Sequence, residues 1–299
     1  MDSIAVIGAG TMGNGIAHVF AQYGFDVRLV DVNPVQLDKA LEKISKNLER
    51  QVGKGTLTTA QKADTLKKIT KHTDLKEGVK DCLLVVEAAT ENIELKLQIF
   101  RQLDSMAEKE TILASNTSSI SITKIAAATS RPDKVIGMHF MNPVPVMKLV
   151  EIINGYATDS TVTSKIVELT RALQKIPCVV NDYPGFIANR ILMPMINEAI
   201  FSLYERVAGV EEIDMIMKTG MAHPMGPLQL ADFIGLDVCH SILKVLHDGF
   251  GNPKYAPCPL LTNMVAAGHL GMKSGEGFYE YSSGSKELIV SARFRSVKN

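Results

Sequence analysis

Short apolar runs alternate with helix-like segments through the N-terminal part of the chain. Such alternation is typical of strands and helices that build a mostly parallel sheet covered by helices. The runs predicted to be strands are SIAVI (3–7), FDVRLV (25–30), CLLVVEAA (82–89), TILASN (111–116), DKVIGMHF (133–140), KLVEII (148–153) and PCVVN (177–181). The pattern therefore predicts an α/β domain over residues 1–184.

The pattern changes after Tyr183-Pro184-Gly185, which we interpret as a linker. Apolar residues then recur at helical spacing, and only GFYEY from 277 resembles a strand. Helices are predicted over 186–206, 210–220, 227–235 and 237–250. We therefore predict an all-helical domain over 185–281, and a tail over 282–299 that is either unstructured or an added extension. The helices carry more apolar surface than so small a domain can bury, which predicts a homodimer.

A G-x-G-x-x-G sequence connects the first predicted strand to the first predicted helix. In Gly8-Ala9-Gly10-Thr11-Met12-Gly13, the first glycine suits a tight turn, the second lets a pyrophosphate approach the backbone, and the third permits close helix–strand packing. The N-terminus of the following helix offers amide donors to phosphates. An ordinary glycine-rich turn is the alternative, but strand, helix and second strand are all in register. The motif predicts a Rossmann-type doubly wound sheet, with Gly8, Gly10, Met12 and Gly13 at the cofactor.

An acidic residue, Asp31, ends the second predicted strand, eighteen residues beyond Gly13. A carboxylate at this place can accept hydrogen bonds from both ribose hydroxyls of adenosine and would repel a 2′-phosphate. Residues 32–37 contain no Arg or Lys to receive such a phosphate. The sequence therefore predicts NAD rather than NADP.

Residues 36–80 interrupt the alternation with a helical pattern, which we name the arm. The first helix of the arm has an apolar stripe (Leu37, Leu41, Ile44, Leu48) and, on the opposite side, a basic stripe (Lys39, Lys43, Lys46, Arg50), with Lys54 just beyond. The arm contains eleven Lys or Arg and six Asp or Glu, in a chain whose formal net charge is zero. The basic stripe is either a solvated helix face or a binding surface for a phosphate-rich small molecule.

A single histidine, His139, lies in one apolar run, and a single carboxylate, Glu151, lies in the next. A buried acid is costly unless it is paired, so Glu151 is expected to have a partner. The tight link NPVP (142–145) makes the two runs neighbours, so the side chains can meet. An imidazole oriented by a carboxylate is a suitable base for an alcohol proton. The alternatives are a buried structural pair or two unrelated side chains.

Further polar residues follow the predicted strands: Glu91, Asn116, Ser118 and Asn142. Ligands of parallel sheets bind beyond the carboxyl ends of the strands, the edge that also carries the glycine loop. Ser118 belongs to a Ser/Thr cluster and is also suited to cap a helix.

The amide Asn189 lies in GFIANRILMPMINEAI, which is apolar on nearly every side and is predicted to be a buried helix. A buried amide needs hydrogen-bond partners, which an internal bond or a bound substrate can supply. The methionines of the same helix, Met193 and Met195, are predicted to be core residues.

The overall composition predicts a cytoplasmic protein without nucleic-acid or membrane partners. The net charge is zero, no apolar run reaches the roughly 20 residues that span a bilayer, and the N-terminus runs directly into a strand. The cysteines Cys82, Cys178, Cys239 and Cys258 form no CxxC pair and are expected to be reduced thiols. The histidines show no metal-ligand spacing and no serine lies in a GxSxG sequence, so neither a metal nor a serine hydrolase is predicted.

Motifs along nearly the whole chain resemble the 3-hydroxyacyl-CoA dehydrogenase family, and most closely its short bacterial-type members that act on 3-hydroxybutyryl-CoA. They are VIGAGTMGNGIA, VVEAATENIELK, ASNTSSISIT, GMHFMNPVPVMKLVEII, DYPGFIANRILMPMINEA, HPMGPLQLADFIGLD and KSGEGFYEY, in family order from residue 6 to residue 281. The resemblance implies NAD-dependent, reversible oxidation of an (S)-3-hydroxyacyl-CoA in fatty acid metabolism, and a homodimer formed by the helical domain.

The resemblance also implies roles for individual residues. His139 is the implied catalytic base and Glu151 orients it, while Ser118 and Asn189 hydrogen-bond the reacting oxygens of the substrate. The positions implied to contact the cofactor are Asp31, Glu91, Lys96, Ser118, Asn142 and Lys273. The phosphates of coenzyme A are expected on the arm, at Arg50 and Lys54.

Two other functions fit parts of the sequence. A β-hydroxyacid dehydrogenase acting on free acids has a similar cofactor half but relies on a catalytic lysine, which would leave the His–Glu pair and the basic stripe without a purpose. A non-catalytic structural relative of the λ-crystallin kind would keep the fold. The presence of His139, Glu151, Ser118 and Asn189 argues against it.

Overall fold

The computed structural model describes residues 3–281 and 288–295. The chain divides into two compact units, Met1–Tyr183 and Pro184–Asn299. Each unit encloses a hydrophobic core of its own.

The N-terminal unit is built on an eight-stranded sheet in the order β3-β2-β1-β4-β5-β6-β7-β8. The strands are β1 (Ser3–Ile7), β2 (Asp26–Val30), β3 (Ile69–His72), β4 (Leu84–Glu87), β5 (Ile112–Ser115), β6 (Val135–Phe140), β7 (Leu149–Asn154) and β8 (Ile176–Asn181). β1 pairs in parallel with both β2 and β4, so the strand order reverses on either side of β1. This reversal is the switch point of a doubly wound sheet, where ligands bind at the carboxyl ends of the strands. The predicted Rossmann-type fold is confirmed.

The sheet is mostly parallel, as predicted, with one antiparallel pairing. β7 runs antiparallel to β6, and β8 is parallel to β7. The physical reason is the short connection over residues 141–148, because parallel neighbours need a crossover of a dozen or more residues.

Helices cover the N-terminal sheet. They are α1 (Thr11–Gln22), α2 (Pro34–Gly53), α3 (Thr59–Lys67), α4 (Leu75–Val79), α5 (Ile93–Met106), α6 (Ile122–Ala126) and α7 (Ser160–Ala172). The apolar stripe of the arm is confirmed, since Leu37, Ile44 and Leu48 on α2 are buried in the core. The prediction of a wholly helical arm over 36–80 is wrong: β3 lies within it and pairs in parallel with β2 at the sheet edge.

The second unit is mainly helical, as expected. Its helices are α8 (Ala188–Tyr204), α9 (Val210–Met215), α10 (Pro227–Ile234), α11 (Leu236–Phe250) and α12 (Pro259–Ala266). A π-helical turn, Ile216–Gly220, follows α9, and α12 was not predicted. The expectation that α8 is buried all round is wrong, because Ile191 is 67% exposed while Met193 and Ile196 face the core.

Residues 288–295 of the tail are ordered, and the second unit is therefore not all-helical. β10 (Ile289–Val290) pairs antiparallel with β9 (Tyr279–Glu280), and the rings of Phe294 and Phe278 lie 5.7 Å apart. The prediction of an unstructured tail is thus wrong for residues 288–295. The rest of the tail, 282–287 and 296–299, lies outside the described residues.

Candidate active site

The glycine loop has the geometry that each of its three glycines was predicted to provide. Gly8 has a φ of 98°, and a Cβ there would lie 2.8 Å from the carbonyl oxygen of Ala88. A Cβ on Gly13 would lie 1.7 Å from the carbonyl oxygen of Gly8, so only glycine lets α1 start this close to the turn. Gly10 faces open space, with no heavy atom within 4 Å of such a Cβ. A phosphate can therefore approach the backbone at Gly10 and the first turn of α1, where Met12 lies.

The carboxylate of Asp31 is fixed beside this loop. Its Oδ2 accepts a hydrogen bond from the backbone amide of Ala9 at 2.8 Å, and its Oδ1 accepts one from Asn33 at 2.9 Å. A cleft of about 450 Å³ adjoins it. The cleft is lined by Ile7, Gly8, Val30, Asp31, Val32, Thr73, Asp74, Leu75, Ala89, Leu95, Gln98, Ile99 and Gln102. A largely apolar cleft with a carboxylate at its rim beside a glycine loop fits the adenosine half of a dinucleotide.

A buried ion pair lies under the same edge of the sheet. Lys96 is 1% exposed, and its Nζ lies 2.7 and 2.9 Å from the two carboxylate oxygens of Glu87. Glu87 also accepts hydrogen bonds from the Ser115 hydroxyl and the Ala89 amide, each at 2.7 Å. The structure thus gives Lys96 a protein partner, and its contact with the cofactor stays a prediction.

Glu87 was not predicted from the sequence, although the sequence contains a signal for it. It ends the apolar strand LVVE, the same setting of a single acid in an apolar run that singled out Glu151. Like Glu151, it is fully buried and therefore needs a partner.

Glu91 organises the loop that contains Ser118. Its Oε1 accepts hydrogen bonds from the backbone amides of Ser118 at 2.8 Å and Ser119 at 3.2 Å, and from the hydroxyl of Thr117. The alternative role of Ser118 as a helix cap is wrong, because Ser121 caps α6. Glu91 and Ser118 are therefore brought together, as their positions at the strand ends predicted.

His139 and Glu151 lie directly opposite each other in the β6–β7 ladder. The imidazole Nδ1 lies 2.7 Å from Oε2 of Glu151, and the two residues are 7% and 3% exposed. An ionised carboxylate at Nδ1 makes this nitrogen the proton donor, which places the basic lone pair on Nε2. The contact between the two side chains is confirmed, whereas their catalytic role stays a prediction. Asn116 supports the same strand, because its Oδ1 accepts the amide of Phe140 at 2.9 Å.

The basic side chains on the arm are available for a ligand. Lys39, Lys43, Lys46, Arg50 and Lys54 are all exposed. Within residues 3–281 and 288–295, none of the five lies within 4.0 Å of a carboxylate. The same holds for Lys76 and Lys80 at the end of the arm, whereas Lys62, Lys67, Lys68 and Lys71 are paired. The stripe thus carries exposed cations without a protein counter-ion, as a phosphate ligand requires.

The remaining predicted residues belong to both units. Asn142 is exposed, and its peptide bond to Pro143 is cis. Asn189 and Lys273 belong to the second unit, where Asn189 is 8% exposed on α8 and Lys273 forms an ion pair with Asp237. Their roles stay predictions.

The described part of the chain also shows what kinds of site it does not contain. No group of three or more His, Cys, Asp or Glu is placed to hold a metal ion. No helix there has the length and apolar character to cross a membrane.

Both units match one protein family. Residues 3–183 match the family model described as 3-hydroxyacyl-CoA dehydrogenase, NAD binding domain, and residues 185–281 match 3-hydroxyacyl-CoA dehydrogenase, C-terminal domain. The chain therefore belongs to the 3-hydroxyacyl-CoA dehydrogenase family. NAD is accordingly the dinucleotide of its N-terminal unit, which the glycine loop and Asp31 fit.

Similar proteins cover almost the full length of the chain. The 3-hydroxybutyryl-CoA dehydrogenase of Bradyrhizobium diazoefficiens is 54% identical over 278 residues, covering 93% of this chain and 94% of that protein. The probable 3-hydroxybutyryl-CoA dehydrogenase of Bacillus subtilis is 52% identical over 278 residues, covering 93% and 96%. The crystal structure of (S)-3-hydroxybutyryl-CoA dehydrogenase PaaH1 from Ralstonia eutropha superposes with a TM-score of 0.92 at 48% identity, covering 95% of this chain and 100% of that one.

Proposed function

We propose that this protein catalyses the reversible, NAD-dependent oxidation of an (S)-3-hydroxyacyl-CoA to the 3-ketoacyl-CoA, with 3-hydroxybutyryl-CoA and acetoacetyl-CoA as its substrates. The observation that carries the proposal is the buried contact of 2.7 Å between His139 and Glu151 in the unit that holds the dinucleotide site. The names of the similar bacterial proteins support the four-carbon substrate.

The His–Glu dyad supplies the acid–base chemistry. Nε2 of His139 removes the hydroxyl proton of the substrate, and the carboxylate of Glu151 stabilises the imidazolium that forms. NAD, when bound, takes up the hydride from the carbon that bore this hydroxyl. In the reductive direction, the imidazolium of His139 returns the proton to the developing alkoxide.

Two polar side chains are proposed to hold the reacting oxygen. Ser118 and Asn189 donate hydrogen bonds to it, and these bonds strengthen as the oxygen gains negative charge. Glu91 fixes the backbone of the loop around Ser118, which supports a defined position for this hydroxyl.

The coenzyme A part of the substrate is proposed to bind the arm. Its phosphates need cations that are not already neutralised, and the exposed Arg50 and Lys54 have no carboxylate within 4.0 Å among the described residues. A free hydroxyacid has no phosphates, so these unpaired charges support a coenzyme A thioester over a free acid.

Two further predictions belong to the proposal. We propose a homodimer through the second unit, where large apolar side chains such as Ile191, Met215 and Phe233 are more than half exposed. We also propose a cytoplasmic location.

The test is the initial rate of NADH oxidation with acetoacetyl-CoA, longer 3-ketoacyl-CoA thioesters and free acetoacetate. We expect turnover of acetoacetyl-CoA and little or none of the free acid. Turnover of the free acid alone would support a β-hydroxyacid dehydrogenase, and no turnover of any substrate would support a non-catalytic relative. His139→Gln should lower kcat by about 100-fold or more while NADH binding is kept, because the general base is lost.

A further inference from the structure

A lysine outside the proposed catalytic set is buried next to the β6–β7 hairpin. Lys175 precedes β8 and is 8% exposed. Lysine is almost never buried without a charged partner. Within residues 3–281 and 288–295, however, no carboxylate lies within 4.0 Å of its Nζ. Burial lowers the pKa of Lys175 below its usual value, as expected for an ammonium without a counter-ion.

The partners of this ammonium are two backbone carbonyl groups. Nζ donates hydrogen bonds to the carbonyl oxygen of Val144 at 2.7 Å and to that of Met147 at 2.6 Å. Both carbonyls belong to residues 141–148, the turn that joins β6 to β7. One side chain thus ties together the two halves of this turn.

The turn also has backbone bonds of its own, because the amides of Val146 and Met147 donate to the carbonyl oxygen of Pro143 at 2.9 and 3.0 Å. Val144 is buried and packs against α1, where a Cβ on Gly15 would lie 2.8 Å from the Val144 side chain. The side chains of Val146 and Met147 are 72% and 41% exposed, so apolar packing holds the second half only weakly. Lys175 therefore adds a side-chain anchor from outside the turn to these internal bonds.

The position of this turn bears directly on the dyad. It connects the strand of His139 to the strand of Glu151, and the two residues are register partners. A hydrogen bond weakens steeply as its length and angle depart from their optimum, so a small shift of one strand against the other would loosen the contact. Catalytic geometry tolerates errors of about 0.5 Å at most before rate is lost.

We propose that Lys175 is a positioning residue for the His139–Glu151 dyad, acting by clamping the turn over residues 141–148 through its bonds to Val144 and Met147. This inference rests on the proposed function of the dyad. A buried ammonium suits the task because it carries three donors on a long stem and can reach two carbonyls from outside the turn.

The alternative is that Lys175 only stabilises the fold, and kinetics of folded variants separate the two. Lys175→Met keeps the length of the stem and removes the donors. Lys148→Met is the matched control, because Lys148 lies in the same turn with an exposed side chain. We expect Lys175→Met to lower kcat by about tenfold with the KM for NADH changed by less than about twofold. Lys148→Met should behave as the wild type.

A double-mutant cycle tests whether Lys175 acts through the dyad. In a Glu151→Gln background the dyad is already impaired, so Lys175→Met should then lower kcat by less than about twofold. An unchanged kcat for folded Lys175→Met, or the same loss in both backgrounds, would overturn the proposal. Lys175→Gln, which keeps one amide donor, is used in the same cycle if the methionine variant does not fold.

A spectroscopic readout separates this proposal from the proposed function. In the proton NMR spectrum, the hydrogen-bonded proton between Nδ1 of His139 and Glu151 should give a downfield resonance. This resonance should disappear in Glu151→Gln. We expect Lys175→Met to broaden or shift it, and an unchanged resonance would count against the clamp. If the wild type turns over no thioester, the proposed function fails, and this resonance still decides whether Lys175 positions the pair.

Discussion

Replacing Glu151 by Gln tests the central contact of the proposed site. The substitution keeps the size and the planar end of the side chain but removes its negative charge. Glu151 is 3% exposed, so water cannot take over its role at Nδ1 of His139. The variant therefore removes the charge that stabilises the imidazolium and leaves most of the packing intact.

The size of the effect follows from the geometry. A hydrogen bond of 2.7 Å between a carboxylate and an imidazolium is charge-assisted. Such bonds contribute about 1.5–3 kcal/mol, and each 1.4 kcal/mol corresponds to a factor of about ten in rate. We therefore expect kcat to fall by about 10- to 150-fold. The loss will be larger if the Gln amide group donates to Nδ1 and so imposes the wrong tautomer.

The assay is steady-state NADH oxidation by acetoacetyl-CoA, with the folded state checked by circular dichroism. Glu168→Gln is the matched control, since Glu168 is an exposed carboxylate of the same unit. The KM for NADH should change little in either variant. A kcat within about twofold of wild type for Glu151→Gln would refute the assignment, because a bond of this strength cannot be lost without a measurable cost.

Three further outcomes are expected. Asp31→Asn should raise the KM for NADH by about tenfold and improve the relative use of NADPH, measured by initial rates, because the carboxylate that repels a 2′-phosphate is gone. Arg50→Ala combined with Lys54→Ala should raise the KM for acetoacetyl-CoA by about tenfold with little change in kcat, whereas Lys67→Ala, which removes a lysine already paired with Asp64, should not. Burial lowers the pKa of His18 from 6.5 to about 4. The pKa of His18 is lower in the folded than in the unfolded protein, so the unfolded protein binds a proton first as the pH falls. The contribution of His18 to stability is therefore complete above about pH 6.5. The free energy of unfolding falls by about 3 kcal/mol between about pH 6.5 and about pH 4. In urea denaturation followed by circular dichroism, the free energy of unfolding should therefore fall more steeply with decreasing pH in the wild type than in His18→Asn.

Hydrophobic periodicity was sufficient to predict the buried elements. The central strands are buried on both faces and therefore read as continuous apolar runs, whereas α2 is buried on one face and carries an apolar stripe. Both kinds of element lie where the sequence predicted them. The edge strand β3 escaped prediction for the same reason. Its residues, ITKH, expose two of four side chains and carry little apolar signal. Such a strand is defined by its pairing with β2, which a local pattern does not contain.

The direction of β7 depended on a different kind of information. Its apolar pattern is the same whether it runs parallel or antiparallel to β6, because side chains alternate in both cases. The length of the connection decides between them, and residues 141–148 are too few for a parallel crossover. The antiparallel pairing is what places His139 and Glu151 at the same register, so the proposed chemistry depends on this short turn.

The partners of buried charged side chains were the hardest feature of the site to predict from the sequence. The rule that a buried acid needs a partner led to His139 because that partner is only twelve residues from Glu151. The same rule applies to Glu87, whose carboxylate meets Lys96 and the more distant Ser115, and to Lys175, whose carbonyl partners lie 31 and 28 residues away. Each of these costly groups supports the sheet edge or the turn at the proposed site. An exposed or apolar side chain at these positions would avoid the free-energy cost of desolvating a charge. The burial of these charged groups therefore indicates that fixed geometry at this edge is kept at the expense of stability.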